Sequence, residues 1–294
     1  MRIGILGTGL MGAPMALKLQ TCGHEVRVYN RSRDRLSPLI EAGLIAVDSP
    51  ADLLTSCDIV ITMVSDAAAI AQTLLSGLAK VHLSDRTILQ MGTIAPQESR
   101  DLAQQVIQAG GEYLEAPVLG SIPQVTAGSL IVMVGATPAQ FQRWRPLLTH
   151  FGPDPIHLGD VGAAATVKLA MNQLIGSLTT AFSLSLALVQ REGFAIEPFM
   201  DIVRQSALYA PTFDKKLQRM VTQDFSNPNF PTKHLLKDMR LFTQTAADLG
   251  LNASVVEAVA QVAQQTVEAG AGDADYSAVY STINPGRYSR RHLG

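Results

Sequence analysis

A glycine-rich loop between a short apolar run and a helix-compatible stretch constrains this chain more than any other feature. Residues 2–6 (RIGIL) are apolar and run into glycines, and residues 11–21 (MGAPMALKLQT) follow with helical character. Between them Gly7-Thr8-Gly9-Leu10-Met11-Gly12 fits GxGxxG. The spacing alone is a weak signal; a strand before it and a helix after it give it meaning. Gly7 suits the tight turn, Gly9 lets the backbone approach a pyrophosphate, and Gly12 lets helix and strand pack closely. The helix N-terminus offers unpaired N–H groups and its positive dipole end to phosphates.

The same rhythm continues. Residues 25–29 (EVRVY) alternate as a strand does, and a short helix is expected near 35–41. An Asp-led helix start at 48–54 precedes a strand at 59–63 (IVITM), a helix at about 67–75, a strand at 87–91 (TILQM) and a helix at about 96–108. Residues 112–118 and 129–136 read as strands around a loop rich in Gly, Ser and Pro. PAQFQRWRPLLTHF reads as a helix and 155–158 as a last strand. This alternation predicts an α/β fold, with an N-terminal, mostly parallel, doubly wound sheet of the Rossmann type. After Gly159 and Gly162 the chain shows long apolar helices and no strand pattern. The expected organisation is a dinucleotide-binding domain at 1–161 and an all-α substrate and oligomerisation domain at 162–294. The basic tail NPGRYSRRHLG is expected to be mobile.

The residues after the second strand choose the cofactor. A site for NAD usually has Asp or Glu there, bonded to the ribose 2′-OH. This chain has Asn30-Arg31-Ser32-Arg33, with two guanidinium groups to grip a 2′-phosphate. NADP(H) is therefore the expected cofactor. Met63, closing the 59–63 strand, is counted among its contacts.

Lys168 is the only charged residue between Gly162 and Gln190. A cation in so apolar a helix is costly to bury without a task. Asn172 follows one turn later on the same face. A general acid/base with an orienting amide fits this pair; a lysine snorkelling from a helix end to solvent is the plainer alternative. Leu169–Val189 is uncharged and about long enough to span a bilayer, but it holds Asn172, Gln173, Ser177, Thr179, Thr180, Ser183 and Ser185. So many polar groups make a lipid-facing span costly, and a helix buried by protein is expected. A formal net charge of −2 gives no electrostatic reason for a nucleic-acid or membrane partner. The N-terminus does not read as a signal peptide. Two cysteines, Cys22 and Cys57, stand outside any metal spacing, and the six histidines show none either. A reducing, cytoplasmic setting is expected.

ILGTGLMG at 5–12, EAPVLGSIPQVTAGSL at 115–130, GAAATVKLAMN at 162–172 and FPTKHLLKDMRL at 230–241 together resemble the β-hydroxyacid dehydrogenases. This is the 3-hydroxyisobutyrate dehydrogenase-related family, and the chain looks closest to its glyoxylate/succinic semialdehyde reductase branch. The resemblance implies that Lys168 is the catalytic lysine and that Asn172 orients lysine and substrate. It implies that Thr93 meets the nicotinamide end of the cofactor and that Lys237 reaches the cofactor from the helical domain, with Asp238 beside it. Phe230 would line the substrate pocket, and Leu119, Gly120 and Ser121 would form the substrate loop. The family usually reads PVSG where this chain reads Pro117-Val118-Leu119-Gly120, so the serine that would hold a substrate carboxylate is absent.

These residues imply an NADPH-dependent enzyme that reduces a small aldehyde or semialdehyde acid, with Lys168 as proton donor. The alternatives are a 3-hydroxyisobutyrate-type dehydrogenase, an imine reductase and a non-catalytic NADP-binding module. The partners expected are a small carbonyl or hydroxyacid substrate and further copies of the chain, as a homodimer or homotetramer.

Overall fold

The computed structural model describes residues 1–286, so residues 287–294 of the tail expected to be mobile lie outside the described residues. In chain order the elements are β1 (Arg2–Leu6), α1 (Gly12–Thr21), β2 (Glu25–Tyr29), α2 (Ser37–Glu41), β3 (Ile45–Ala46), α3 (Pro50–Ser56), β4 (Ile59–Thr62), α4 (Ala67–Leu74), α5 (Gly77–Val81), β5 (Thr87–Gln90), α6 (Pro96–Gln108), β6 (Glu112–Glu115), β7 (Val118–Leu119), α7 (Ile122–Ala127), β8 (Ile131–Gly135), α8 (Pro138–Leu148) and β9 (Ile156–Gly159). There follow α9 (Ala163–Arg191), α10 (Ile196–Gln205), α11 (Pro211–Thr222), α12 (Thr232–Asp248), α13 (Ser254–Thr266) and α14 (Val279–Ile283). The chain divides into two compact units, Met1–Leu169 and Ala170–Gly294, and the division falls inside α9.

In the first unit the strands run in the order β3-β2-β1-β4-β5-β6-β8-β7, with β9 paired to β8. Every pairing from β3 to β6 is parallel; β8 lies antiparallel to β6 and β7. The burial of each strand follows its place. Central β4 (IVIT) and β5 (TILQ) are buried along their whole length, as strands covered on both faces must be. Alternate residues feed two cores. Ile3, Ile5, Ile59, Ile61 and Leu89 pack with Met15 and Leu19 of α1 and Leu147 and Leu148 of α8. Leu6, Val60 and Ile88 pack on the other face with Leu53 of α3, Ile70 of α4 and Leu102 of α6. This is the doubly wound sheet that the sequence predicts. Each fully buried leucine or isoleucine here is worth about 1.5–3 kcal/mol over its exposed state, which sets the strand register.

Local details differ from the sequence reading. Ser49, not Asp48, caps α3, its Oγ accepting from the Asp52 amide at 3.2 Å. The stretch 112–118 breaks into β6 and β7, because Pro117 has no N–H to continue a ladder. The loop expected before β8 contains α7, started by Ser121 and Pro123 and stopped at Gly128 with φ 69°. Short β3 and α5 carry too few residues for a periodic signal.

The second unit is helical, and its regular β structure among the described residues is the isolated bridge Pro231–Asp275. Leu235, Met239, Val259 and Ala263 join α12 to α13. Phe182 and Leu186 of α9 pack with Met200, Phe213, Met220 and Tyr280. The buried Lys216 ammonium lies 2.8 Å from both Asp275 carboxylate oxygens and 4.3 Å from the centre of the Tyr276 ring. The α9 helix is long and apolar enough by composition to cross a membrane. It is only partly the protein-buried helix that was expected. Asn172, Thr179 and Ser183 turn inward, while Leu174 and Leu178 remain exposed.

Candidate functional site

The site begins where β1 ends. Gly7 takes φ +98°, and its amide donates to the Tyr29 carbonyl at 2.9 Å, tying the turn to β2. A β-carbon on Gly7 would lie 2.5 Å from the Met63 carbonyl, and one on Gly12 would strike the Gly7 carbonyl. Both positions are therefore closed to any side chain. Gly9 is the opposite case: a β-carbon there would meet nothing nearer than the Arg35 guanidinium, 3.9 Å away. Thr8 is buried, its amide donating to Asn30 Oδ1 at 3.1 Å, while its hydroxyl has no hydrogen-bond partner among the described residues. An open backbone at Gly9, a helix N-terminus at Gly12 and an orphan buried hydroxyl at Thr8 fit the pyrophosphate of a dinucleotide. Leu10 is exposed at the loop tip, and Met11 packs partly on the core beneath.

Asn30 serves the loop itself, since its Nδ2 also donates to the Ser32 carbonyl at 2.9 Å. Arg31 and Ser32 are exposed. Arg33 is not the unengaged guanidinium that the sequence implies, because it forms an ion pair with Asp48. Both partners are mostly exposed, so the pair is worth little and can open for a phosphate. Arg35, which sequence reasoning passed over, is the guanidinium that leans toward Gly9. Met63 and Thr93 follow β4 and β5, so with Gly7 they line the carboxyl edge of three adjacent parallel strands. That edge is where ligands sit in open α/β sheets.

Leu119 closes β7 half-buried, and Gly120 turns the chain at φ +138°. Ser121 is committed: its Oγ and amide both donate to Gln124 Oε1, at 2.8 and 2.9 Å. Its hydroxyl is thus engaged with the Gln124 side chain at the start of α7. Glu115, at the end of β6, is wholly buried and was not singled out from the sequence. Its signal was a carboxylate interrupting the apolar strand EYLEAPV.

Lys168 lies on the second turn of α9, half-buried. In the second unit, Asn172 is buried and donates through Nδ2 to Asp238 Oδ2 at 2.6 Å. The other oxygen of Asp238 lies 2.9 Å from the Lys237 ammonium. Asp238 is 2% exposed, so it holds two predicted site residues in place and offers little surface to a substrate. The bond to Asp238 fixes the orientation of the Asn172 amide, with its nitrogen as the donor on that side. Phe230 meets Tyr276 edge-on at 5.5 Å and packs partly on the helical core. Among the described residues no three His, Cys, Asp or Glu side chains gather as a metal site.

This dinucleotide cradle, followed by a helical unit carrying an oriented asparagine, defines a class of nicotinamide-dependent oxidoreductases. Residues 2–159 match the NAD-binding domain of 6-phosphogluconate dehydrogenase, and residues 162–283 match the NAD-binding domain of NADP-dependent 3-hydroxyisobutyrate dehydrogenase. The chain belongs to the β-hydroxyacid dehydrogenase family and is an NAD(P)-dependent enzyme. It is 30% identical to glyoxylate/succinic semialdehyde reductase 1 of Arabidopsis thaliana, over 96% of this chain and 98% of that one. It is 29% identical to the cytokine-like nuclear factor N-PAC of Drosophila melanogaster, over 94% of this chain and 46% of that longer protein. The crystal structure of 3-hydroxyisobutyrate dehydrogenase from Salmonella typhimurium superposes with a TM-score of 0.84 at 25% identity, covering 95% of this chain and 99% of that one.

Proposed function

We propose that this protein is an NADPH-dependent reductase of a small aldehyde or semialdehyde acid, of the succinic semialdehyde or glyoxylate type, and that Lys168 is its general acid/base. The observation that carries the reading is the ordered set Lys168, Asn172, Asp238 and Lys237, in which a buried carboxylate fixes the asparagine one turn beyond the lysine. The reduced nicotinamide, when bound, supplies the hydride to the carbonyl carbon. Lys168, as an ammonium, stabilises the charge growing on the carbonyl oxygen and hands it a proton. Asn172 has no proton to titrate, and it orients lysine and substrate. The Gly7–Gly12 loop holds the pyrophosphate. Arg31, with Arg35 close by and Arg33 once released from Asp48, favours the 2′-phosphate of NADP(H).

Leu119 favours a second substrate class for a specific reason. With leucine at 119 and the Ser121 hydroxyl already on Gln124, the loop brings one donor fewer to a carboxylate. Uncharged aldehydes are therefore accepted alongside semialdehyde acids. The presence of Lys168, Asn172 and Lys237 together favours an enzyme over a non-catalytic binding module. We also assign the protein to the reducing cytoplasm, in line with its two free cysteines, and to a homodimer or homotetramer. The test is NADPH oxidation against glyoxylate, succinic semialdehyde, uncharged aldehydes and a cyclic imine, with NADH and Lys168→Ala alongside. Turnover of an aldehyde that falls roughly a hundred-fold or more in the variant is expected. Tight NADPH binding with no turnover of any carbonyl overturns the reading.

A further inference from the structure

The long helix that carries Lys168 starts without a capping side chain of its own. Gly162 precedes its first residue, at φ +102°, and a β-carbon there would collide with the Arg100 guanidinium. At this φ any L side chain is strained, so a Ser, Thr, Asp or Asn that could satisfy the opening amides is disfavoured here. Four donors need partners there. The Ala163 amide donates to the Asp160 carbonyl at 3.1 Å. Glu115 Oε1 accepts from the Gly162 amide at 2.8 Å and from the Ala165 amide at 3.0 Å, and the Ala164 amide also helps hold this carboxylate in its charged form. The helical ladder then takes over, with Thr166 donating to Gly162 at 3.0 Å.

The carboxylate sits in a built slot. Glu115 Oε2 accepts from the Ser99 hydroxyl, and Ser99 Oγ lies 2.9 Å from the Tyr113 hydroxyl. Across the sheet its register partner is Gly135, where any β-carbon would run into the carboxylate. Glu115 and Ser99 are both 0% exposed. Burial pushes the Glu115 carboxyl above its ordinary value, and the serine and amide donors pull it back. A buried carboxylate is costly, so one met by helix amides from α9 and a hydroxyl from α6 marks a specific task. The anchored Ala165 stands about one turn below Lys168, and Gly162 just before the helix begins. Helical side chains lean toward the N-terminus, so the lysine leaves the helix over the turn that the carboxylate pins.

We propose that Glu115 is a positioning residue for Lys168: its carboxylate anchors the first turn of α9 through the Gly162 and Ala165 amides and thereby fixes where the lysine side chain begins. The proposal rests on the reading of Lys168 as the acid/base. A nearby displacement of a reacting group by about 1 Å can cost a hundred-fold in rate, which is the scale at which a loosened first turn acts.

The test uses the full-length protein with NADPH and an aldehyde it turns over. Glu115→Leu removes the acceptor, and Glu115→Gln keeps an oxygen facing the amides. Glu115→Leu is expected to lower kcat roughly ten- to a hundred-fold. NADPH Kd and carbonyl KM should stay within about two-fold, and Glu115→Gln should recover most of the rate. In a Lys168→Ala background Glu115→Leu should cost less than about two-fold, because the two residues act as one unit. Hydrogen exchange at residues 162–166 should speed up in Glu115→Leu and stay native in Glu115→Gln. Rate losses that multiply undiminished in the Lys168→Ala background, or native exchange in Glu115→Leu, overturn the proposal. If Glu115→Leu does not fold, Glu115→Asp keeps the charge but draws the carboxylate back by one methylene, and the same measurements apply. A wild-type protein that reduces no carbonyl refutes the reductase reading and the Lys168 half of this proposal, while the exchange rates still decide the anchor.

Discussion

At the scale of the residue, the chemistry turns on which polar groups are already spent. Ser121 has given its hydroxyl and amide to Gln124, Asn30 braces the glycine loop, and Asn172 has given its amide nitrogen to Asp238. What is left in the dinucleotide cradle is the Thr8 hydroxyl and the open backbone at Gly9. Leu119 is the position where one hydroxyl would change the substrate balance. Leu119→Ser is expected to lower KM for a semialdehyde acid by roughly ten-fold or more, the worth of one hydrogen bond to a charged group, and to leave KM for uncharged aldehydes nearly unchanged. Steady-state kinetics on a matched pair of substrates checks this; equal changes for both would show that residue 119 does not face the carboxylate. Glycine spacing, the arginines after β2 and the lysine–asparagine pair were legible in the sequence. The Arg33–Asp48 ion pair was not, because it joins residues that sequence spacing treats as belonging to separate elements.

At the scale of the element, ends matter more than middles. Burial and near-continuous apolar runs made β1, β4 and β5 readable, whereas Ser49, Ser121 and Glu115 decide where helices begin. One contact between element ends gives the molecule a pH dependence. His24, just after α1, and His150, just after α8, meet with their Nε2 atoms 2.9 Å apart. Both sit below the ordinary imidazole value of 6.5, chiefly through burial, with mutual repulsion and the N-terminal amine adding at His24 and the Lys18 ammonium at His150. Folding thus makes both harder to protonate. Below about pH 6.5 the unfolded chain binds more protons, so stability falls as the pH drops through that value and is fully present above it. The thermal midpoint of the wild type is expected to drop between pH 7.5 and 5.5 by more than that of His150→Gln. Parallel pH profiles for the two proteins would assign the pair no part in acid sensitivity.

At the scale of the whole molecule, the helical unit leaves apolar surface that its own core does not need. Leu174 is 49% exposed, Leu178 37%, Leu184 63% and Leu188 63%, all on α9. Covering the rest of such side chains is worth about 1 kcal/mol or more each, so a second copy is the expected occupant. Light scattering is expected to give two or four times the 31.4 kDa chain mass, and Leu184→Glu with Leu188→Glu should shift the species toward the monomer. A monomer at micromolar concentration in the wild type would overturn the assignment.

The sequence by itself determined the doubly wound sheet, the cradle for a dinucleotide and the family, because these depend on local patterns: short apolar runs alternating with helical stretches, glycine positions and short ordered motifs. It also placed Lys168 and Asn172 on one helical face, since four residues make about one turn. Only the tertiary structure decided how those residues are held. Asp238 reaches Asn172 across 66 residues of chain, and Glu115 reaches Gly162 across 47. A buried carboxylate is satisfied by whichever donors the fold brings to it, and the chain separation of those donors leaves no periodic trace in the sequence.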